Sequence, residues 1–220
     1  MIYLLQKVLI TFILGFGLFY IFFLSLIPDS FVLIFKIIPM VLLIGLAISQ
    51  RANNISKYKL LLIIGLIFCM IGDYAIGKVF EYGLLSFLIG HVFYISAFST
   101  ANERKVPTAA KVPLLLFGIA MALWIGGTLF SLGDTFLGIA VITYMAVILT
   151  MGWSSIRTNS NFALVGALLF IASDTVLAIN KFVIDIPYSH QLIMLTYYAA
   201  QLFITLSISQ YSFIRNKVIQ

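Results

Sequence analysis

Short polar breaks cut the chain into eight apolar runs, at residues 8–26, 31–49, 59–76, 83–100, 112–130, 136–154, 162–180 and 191–213. Each is close to the roughly 20 residues an α-helix needs to cross about 30 Å of hydrocarbon. The breaks carry turn chemistry: Pro28-Asp29-Ser30, Gln50 to Ser56, Gly77 to Tyr82, Asn102 to Pro107, Ser131 to Asp134, Arg157 to Asn161 and Asp185 to His190. Continuous runs, rather than period-two alternation, argue against an outer-membrane β-barrel. The first run is too long for the apolar region of a cleaved signal peptide, is preceded only by Lys7, and lacks a small-x-small site before Pro28, so it reads as a retained span. The expected architecture is all-α, a polytopic membrane bundle of eight transmembrane helices forming one transmembrane domain over residues 1–220.

Composition closes the other options. Hydrophobic side chains make up 63% of the chain and charged ones 9%, where a soluble domain is about a quarter charged. A water-soluble enzyme, a nucleic-acid-binding domain and a disordered chain are thereby excluded, and the net charge of +6 is not a nucleic-acid footprint. The lone Cys69 forms no intrachain disulfide. The basic residues instead report orientation. With the N-terminus inside, ten lie on the cytoplasmic side (Lys7, Arg51, Lys57, Lys59, Arg104, Lys105, Lys111, Arg157, Arg215 and Lys217), while Lys78 and Lys181 lie outside. Both termini are therefore expected in the cytoplasm. Asp29, Glu81, Asp134 and Asp185 fall outside and Glu103 inside.

An internal echo links two spans. Gly65 stands eight residues before Asp73 and Gly166 eight before Asp174, at an offset of 101 residues. Four spans apart, these helices run the same way through the membrane, which suggests a parallel four-plus-four repeat.

Ionisable residues inside spans cost several kcal/mol on insertion scales and so point to the bundle interior. Three charges qualify: Lys36, Asp73 and Asp174. His91, Tyr94, Tyr197, Tyr198 and Gln201 add polar tips inside spans. At 1.5 Å per residue, Lys36, Asp73, Asp174, His91 and Gln201 lie about 8, 6, 9, 12 and 15 Å below the outer helix ends, one outer layer drawn from five helices. Gly65, Cys69, Asp73 and Gly77 form a small-residue stripe where another helix can approach. His91 and Tyr94, Tyr198 and Gln201, and Tyr197 and Gln201 are spaced three or four apart and share faces. Structural alternatives stand beside each: Lys36 can snorkel to the interface, the aspartates can be its structural partners, His91 can be a bonded core histidine, and the tyrosines can be belt aromatics. His190 and Lys181 are expected in a loop, without a role.

Two carboxylates in a partly dry site equip general acid and base chemistry, one holding a proton and the other kept ionised by a cation or hydroxyl donors. No nucleophile elbow, phosphate-cradling glycine loop or His-Glu-x-x-His occurs. Asp73, His91 and Asp174 could supply three metal ligands, but no metal or cofactor is expected. The same layer would equally suit a small membrane transporter or lipid-binding protein; a purely structural scaffold would have little reason to carry it.

Several stretches match a known pattern: Gly72-Asp73, Phe87-Leu88-Ile89-Gly90-His91-Val92-Phe93-Tyr94, Gly166 to Phe170 with Ser173-Asp174 and Leu177-Ala178, and Tyr197-Tyr198-Ala199-Ala200-Gln201-Leu202. Over about residues 8 to 210 the chain resembles the YhhN-like lysoplasmalogenase family of integral membrane proteins. Lys36 to Pro39 resembles that family's second span, with Ile37 where a proline is usual. The resemblance implies hydrolysis of the vinyl ether bond of a lysoplasmalogen to a fatty aldehyde and a glycerophospho-alcohol, with a lysophospholipid substrate and membrane lipids as partners. On that reading Asp73 and Asp174 are catalytic and divide the acid and carboxylate roles. His91 and Tyr197 orient water or headgroup, and Lys36 contacts phosphate or holds one aspartate ionised. The expected setting is a bacterial plasma membrane, with the site toward its extracytoplasmic side.

Overall fold

A computed structural model describes the backbone of residues 2–50, 57–101 and 111–219 and the side chains of residues 3–50, 57–101 and 111–211. Arg51, Glu103, Arg104, Lys105 and much of the breaks after Gln50 and Ala101 lie outside the described residues. Where lipid supplies no hydrogen-bond partners, a helix satisfies its backbone groups internally, and each apolar run takes this form. Among the described residues the long helices are α1 (Ile2–Phe22), α2 (Asp29–Ser49), α3 (Lys57–Ile76), α4 (Phe80–Thr100), α5 (Lys111–Ser131), α6 (Thr135–Ile156), α7 (Asn161–Phe182) and α8 (Ser189–Ile219), eight in all. All eight are long and apolar enough to span a membrane, and no strand occurs among the described residues.

Two helix starts follow capping chemistry. The Asp134 carboxylate accepts from the Leu137 amide at 3.1 Å and the Ser160 hydroxyl from the Ala163 amide at 3.1 Å, each satisfying a first-turn donor. Helix α5 departs from regularity with a π-helical turn at Ala122–Gly126. Several helices overrun the apolar runs, and this corrects the expectation for two residues. His190 stands in the first turn of α8, and Lys181 in the last turn of α7 with its ammonium over the Phe80 ring. Counting apolar residues alone shortens a helix, because its terminal turns reach the polar boundary and accept polar side chains.

The most extensive pairings are α3 on α4 and α7 on α8. Both are built at the glycines of the echo. A Cβ on Gly65 would strike the Tyr94 ring and lie 3.1 Å from the Gly90 carbonyl oxygen; one on Gly166 would lie 2.9 Å from the Ala200 carbonyl oxygen and 2.7 Å from Ile204. Close approach of backbones is thus achieved the same way in both pairs. The small-residue stripe on α3 works through Gly65 and Cys69, which meet Gly90, whereas Gly77 faces open space. Helices α4 and α8 have the lowest mean hydropathy of the eight and are the most enclosed, with 44% and 50% of their central windows buried; α5 is the least, at 17%. Ser86, His91 and Tyr94 of α4 and Tyr197, Tyr198, Gln201, Thr205 and Ser207 of α8 face the interior.

Candidate active site

Lys36, in the first half of α2, reaches the end of α3. Its ammonium lies 3.3 Å from Asp73 Oδ1 and donates to the Asp73 carbonyl oxygen at 3.1 Å. Asp73 occupies the last turn of α3, where carbonyls lack intrahelical partners and the helix dipole favours a cation, so one ammonium serves both side chain and backbone. Tyr197 completes the arrangement: its hydroxyl donates to Asp73 Oδ2 at 2.5 Å. Neighbouring Tyr198 donates to the Lys36 carbonyl oxygen at 2.8 Å, anchoring the backbone that carries the lysine. Asp73 is buried, yet both carboxylate oxygens are engaged, as a charged group away from water requires.

Asp174, on α7, has a different partner. The Tyr144 hydroxyl of α6 donates to its Oδ2, and it forms no ion pair among the described residues. Both carboxylates line one cavity with Lys36, Tyr197, Ser173 and His190. A second chamber lies beside it, lined almost wholly by apolar side chains from α3 to α7. Ile76, Phe87, Asp174 and Leu177 belong to both walls, so Asp174 stands where a polar chamber meets an apolar one. A group held at that junction could present a polar end to Lys36 and a hydrocarbon chain to the second chamber.

A family model described as the YhhN family matches residues 31–208. The chain belongs to the YhhN family. With its eight spans it is an integral membrane protein. Human lysoplasmalogenase TMEM86A is 37% identical over 161 residues, covering 66% of this chain and 63% of the human protein. Its bovine counterpart is 36% identical over 158 residues, with the same coverage. A lysoplasmalogenase of Mycobacterium bovis is 27% identical over 171 residues, 73% of this chain and 64% of that protein. The chain thus spans a little under two thirds of the length of these curated relatives. No solved structure is significantly similar.

In this YhhN-family chain the residues singled out by depth sort into two tiers. Lys36, Asp73, Asp174 and Tyr197 meet at the cavity, with Tyr198 behind Lys36. Deeper in, Tyr94 donates to Gln201 Oε1 at 2.6 Å, with both residues fully buried. His91 does not reach the cavity wall. Its ring packs edge-on against Phe170 and Tyr144, with centroids 4.5 and 5.4 Å away, and neither nitrogen has a hydrogen-bond partner among the described residues. Asp73, His91 and Asp174 do not gather as metal ligands, nor does any group of three His, Cys, Asp or Glu side chains among the described residues.

Sequence reasoning missed Tyr144, Tyr20, Ser173 and His190, all placed at this site. Tyr144 had a usable signal: it is a polar-tipped residue well inside α6, the criterion that selected Tyr94. His190 had none, because its place on the wall depends on α8 beginning two residues before the apolar run, at Ser189.

Proposed function

We propose that the protein is a membrane-embedded hydrolase that cleaves the vinyl ether bond of a lysoplasmalogen, releasing a fatty aldehyde and a glycerophospho-alcohol. The carrying observation is a pair of carboxylates, each held by a tyrosine hydroxyl, facing one cavity with, among the described residues, a cation beside Asp73 alone. The family and the printed names of the relatives support the choice of substrate.

The chemistry suits that asymmetry. An enol ether breaks when its distal vinyl carbon takes a proton, leaving an oxocarbenium ion on the carbon attached to oxygen. Water adds to that carbon and loses a proton, and the resulting hemiacetal collapses to aldehyde and alcohol. Asp174, at the mouth of the apolar chamber, is the proton donor. As its carboxyl loses the proton, the Tyr144 hydroxyl stabilises the carboxylate that forms. Asp73, charge-compensated by Lys36 and oriented by Tyr197, stabilises the cation and accepts the proton of the attacking water. The alkenyl chain lies in the apolar chamber, and the phosphate-bearing end lies near Lys36 at the cavity. The ten-to-two distribution of basic residues supports cytoplasmic termini and an outward-facing cavity. The mycobacterial relatives are in keeping with a bacterial plasma membrane.

Purified protein in detergent, given a lysoplasmalogen, should release aldehyde detectable by mass spectrometry. Asp174→Asn and Asp73→Asn should each abolish release while thermal unfolding stays cooperative. Full activity in both variants rejects the mechanism, and solute flux into sealed vesicles without product would identify a transporter instead.

A further inference from the structure

The apolar chamber has a second neighbour. A groove runs along the outside of the bundle between α5 and α6, from Lys111 and Trp153 to Ala122 and Ile142. Groove and chamber share two wall residues, Met145 and Leu149, both half-buried on α6. Only these two unbranched or singly branched side chains stand in both linings. The contact opposite is a glycine: a Cβ on Gly118 of α5 would collide with Leu149 Cδ1, so Leu149 closes the wall by filling the space that Gly118 leaves. The helix that completes the partition is the least buried of the eight and carries the π-helical turn at Ala122–Gly126 just beyond Gly118. An element with so few buried contacts opens at low cost.

We propose that this groove is a lateral portal through which a headless single-chain lipid, the long-chain aldehyde, leaves the chamber for the bilayer, with Met145 and Leu149 as its gate. Its assignment to the product rests on the vinyl ether reading above. The chemistry of the wall selects the cargo. Dragging a phosphate past Met145 and Leu149 would strip its hydration with no partner in exchange, whereas a hydrocarbon chain crosses from one apolar surface to another. The polar fragment leaves through the other chamber, past Lys36 and His190. Cleavage at Asp174 thus separates two products that depart by different routes, each matched to its solvent.

The test uses hexadecanol carrying a diazirine at its methyl end, photolysed with the full-length protein in lipid nanodiscs, and peptide mapping of the labelled residues. The probe has no vinyl ether, so labelling is independent of hydrolysis. Wild-type protein should be labelled in the chamber, at Ile171 and Ala178, as well as on the lipid-facing surface of α2. Leu149→Trp should abolish chamber labelling and leave the α2 signal unchanged, and Leu149→Ala should raise chamber labelling several-fold. Should the tryptophan variant fail to fold, the alanine variant decides alone. Chamber labelling that is absent in the wild type or indifferent to residue 149 overturns the portal. Aldehyde release with labelling indifferent to residue 149 removes the portal alone, and labelling governed by residue 149 without aldehyde release removes the vinyl ether reading alone.

Discussion

Tyr144 and Lys36 carry the distinction between the two aspartates, and each can be tested singly. On the proposed mechanism the Tyr144 hydroxyl bonds a carboxyl that gains charge only as the proton leaves, so its contribution belongs to the transition state. A hydrogen bond to a charged group contributes about 1.5–3 kcal/mol, so Tyr144→Phe should lower kcat by about ten- to a hundredfold with KM little changed. Lys36 faces a buried carboxylate, and removing one partner of such a pair costs about 3–5 kcal/mol. Lys36→Met should lower the unfolding temperature in detergent accordingly. Adding Asp73→Asn should recover most of the loss, because the orphaned charge goes with it. The two aspartates were legible from the sequence because a charge inside an apolar run stands out on a line. Which of them has Lys36 and which has Tyr144 was not, since Tyr144 and Lys36 lie 30 and 37 residues from their partners.

Among elements, the glycines of the echo do measurable structural work at the α3–α4 and α7–α8 contacts. Gly65→Ala and Gly166→Ala each place a methyl group against backbone and should destabilise by about 1–3 kcal/mol, as overpacking does. Gly45→Ala, with open space around the new methyl, should cost nothing, and a thermal-unfolding series in detergent separates the three. The helices themselves were readable because length and apolarity suffice to define a span. The π-helical turn in α5 was not readable. Its run is as apolar as its neighbours, and nothing local in the sequence marks where the hydrogen-bond pattern slips.

At the scale of the molecule, orientation joins the charge pattern to the proposed route of the products. With cytoplasmic termini, a cysteine at position 134 should react with a membrane-impermeant maleimide applied to intact cells, and one at position 57 should not; Cys69 is buried and adds little background. The reverse pattern would invert the bundle and put the polar cavity on the cytoplasmic side. Composition, run length and the placement of basic residues were enough to specify an all-helical membrane protein of eight spans, because the bilayer imposes length and polarity on each segment independently of the others. The depth of the charged residues pointed to a polar layer for the same reason. Which carboxylate is paired, that His91 turns away from the cavity, and that an apolar chamber meets the polar one at Asp174 were settled only by packing. Helix rotation and helix neighbours arise from side chains meeting across the bundle, and no single helix records them in its own sequence.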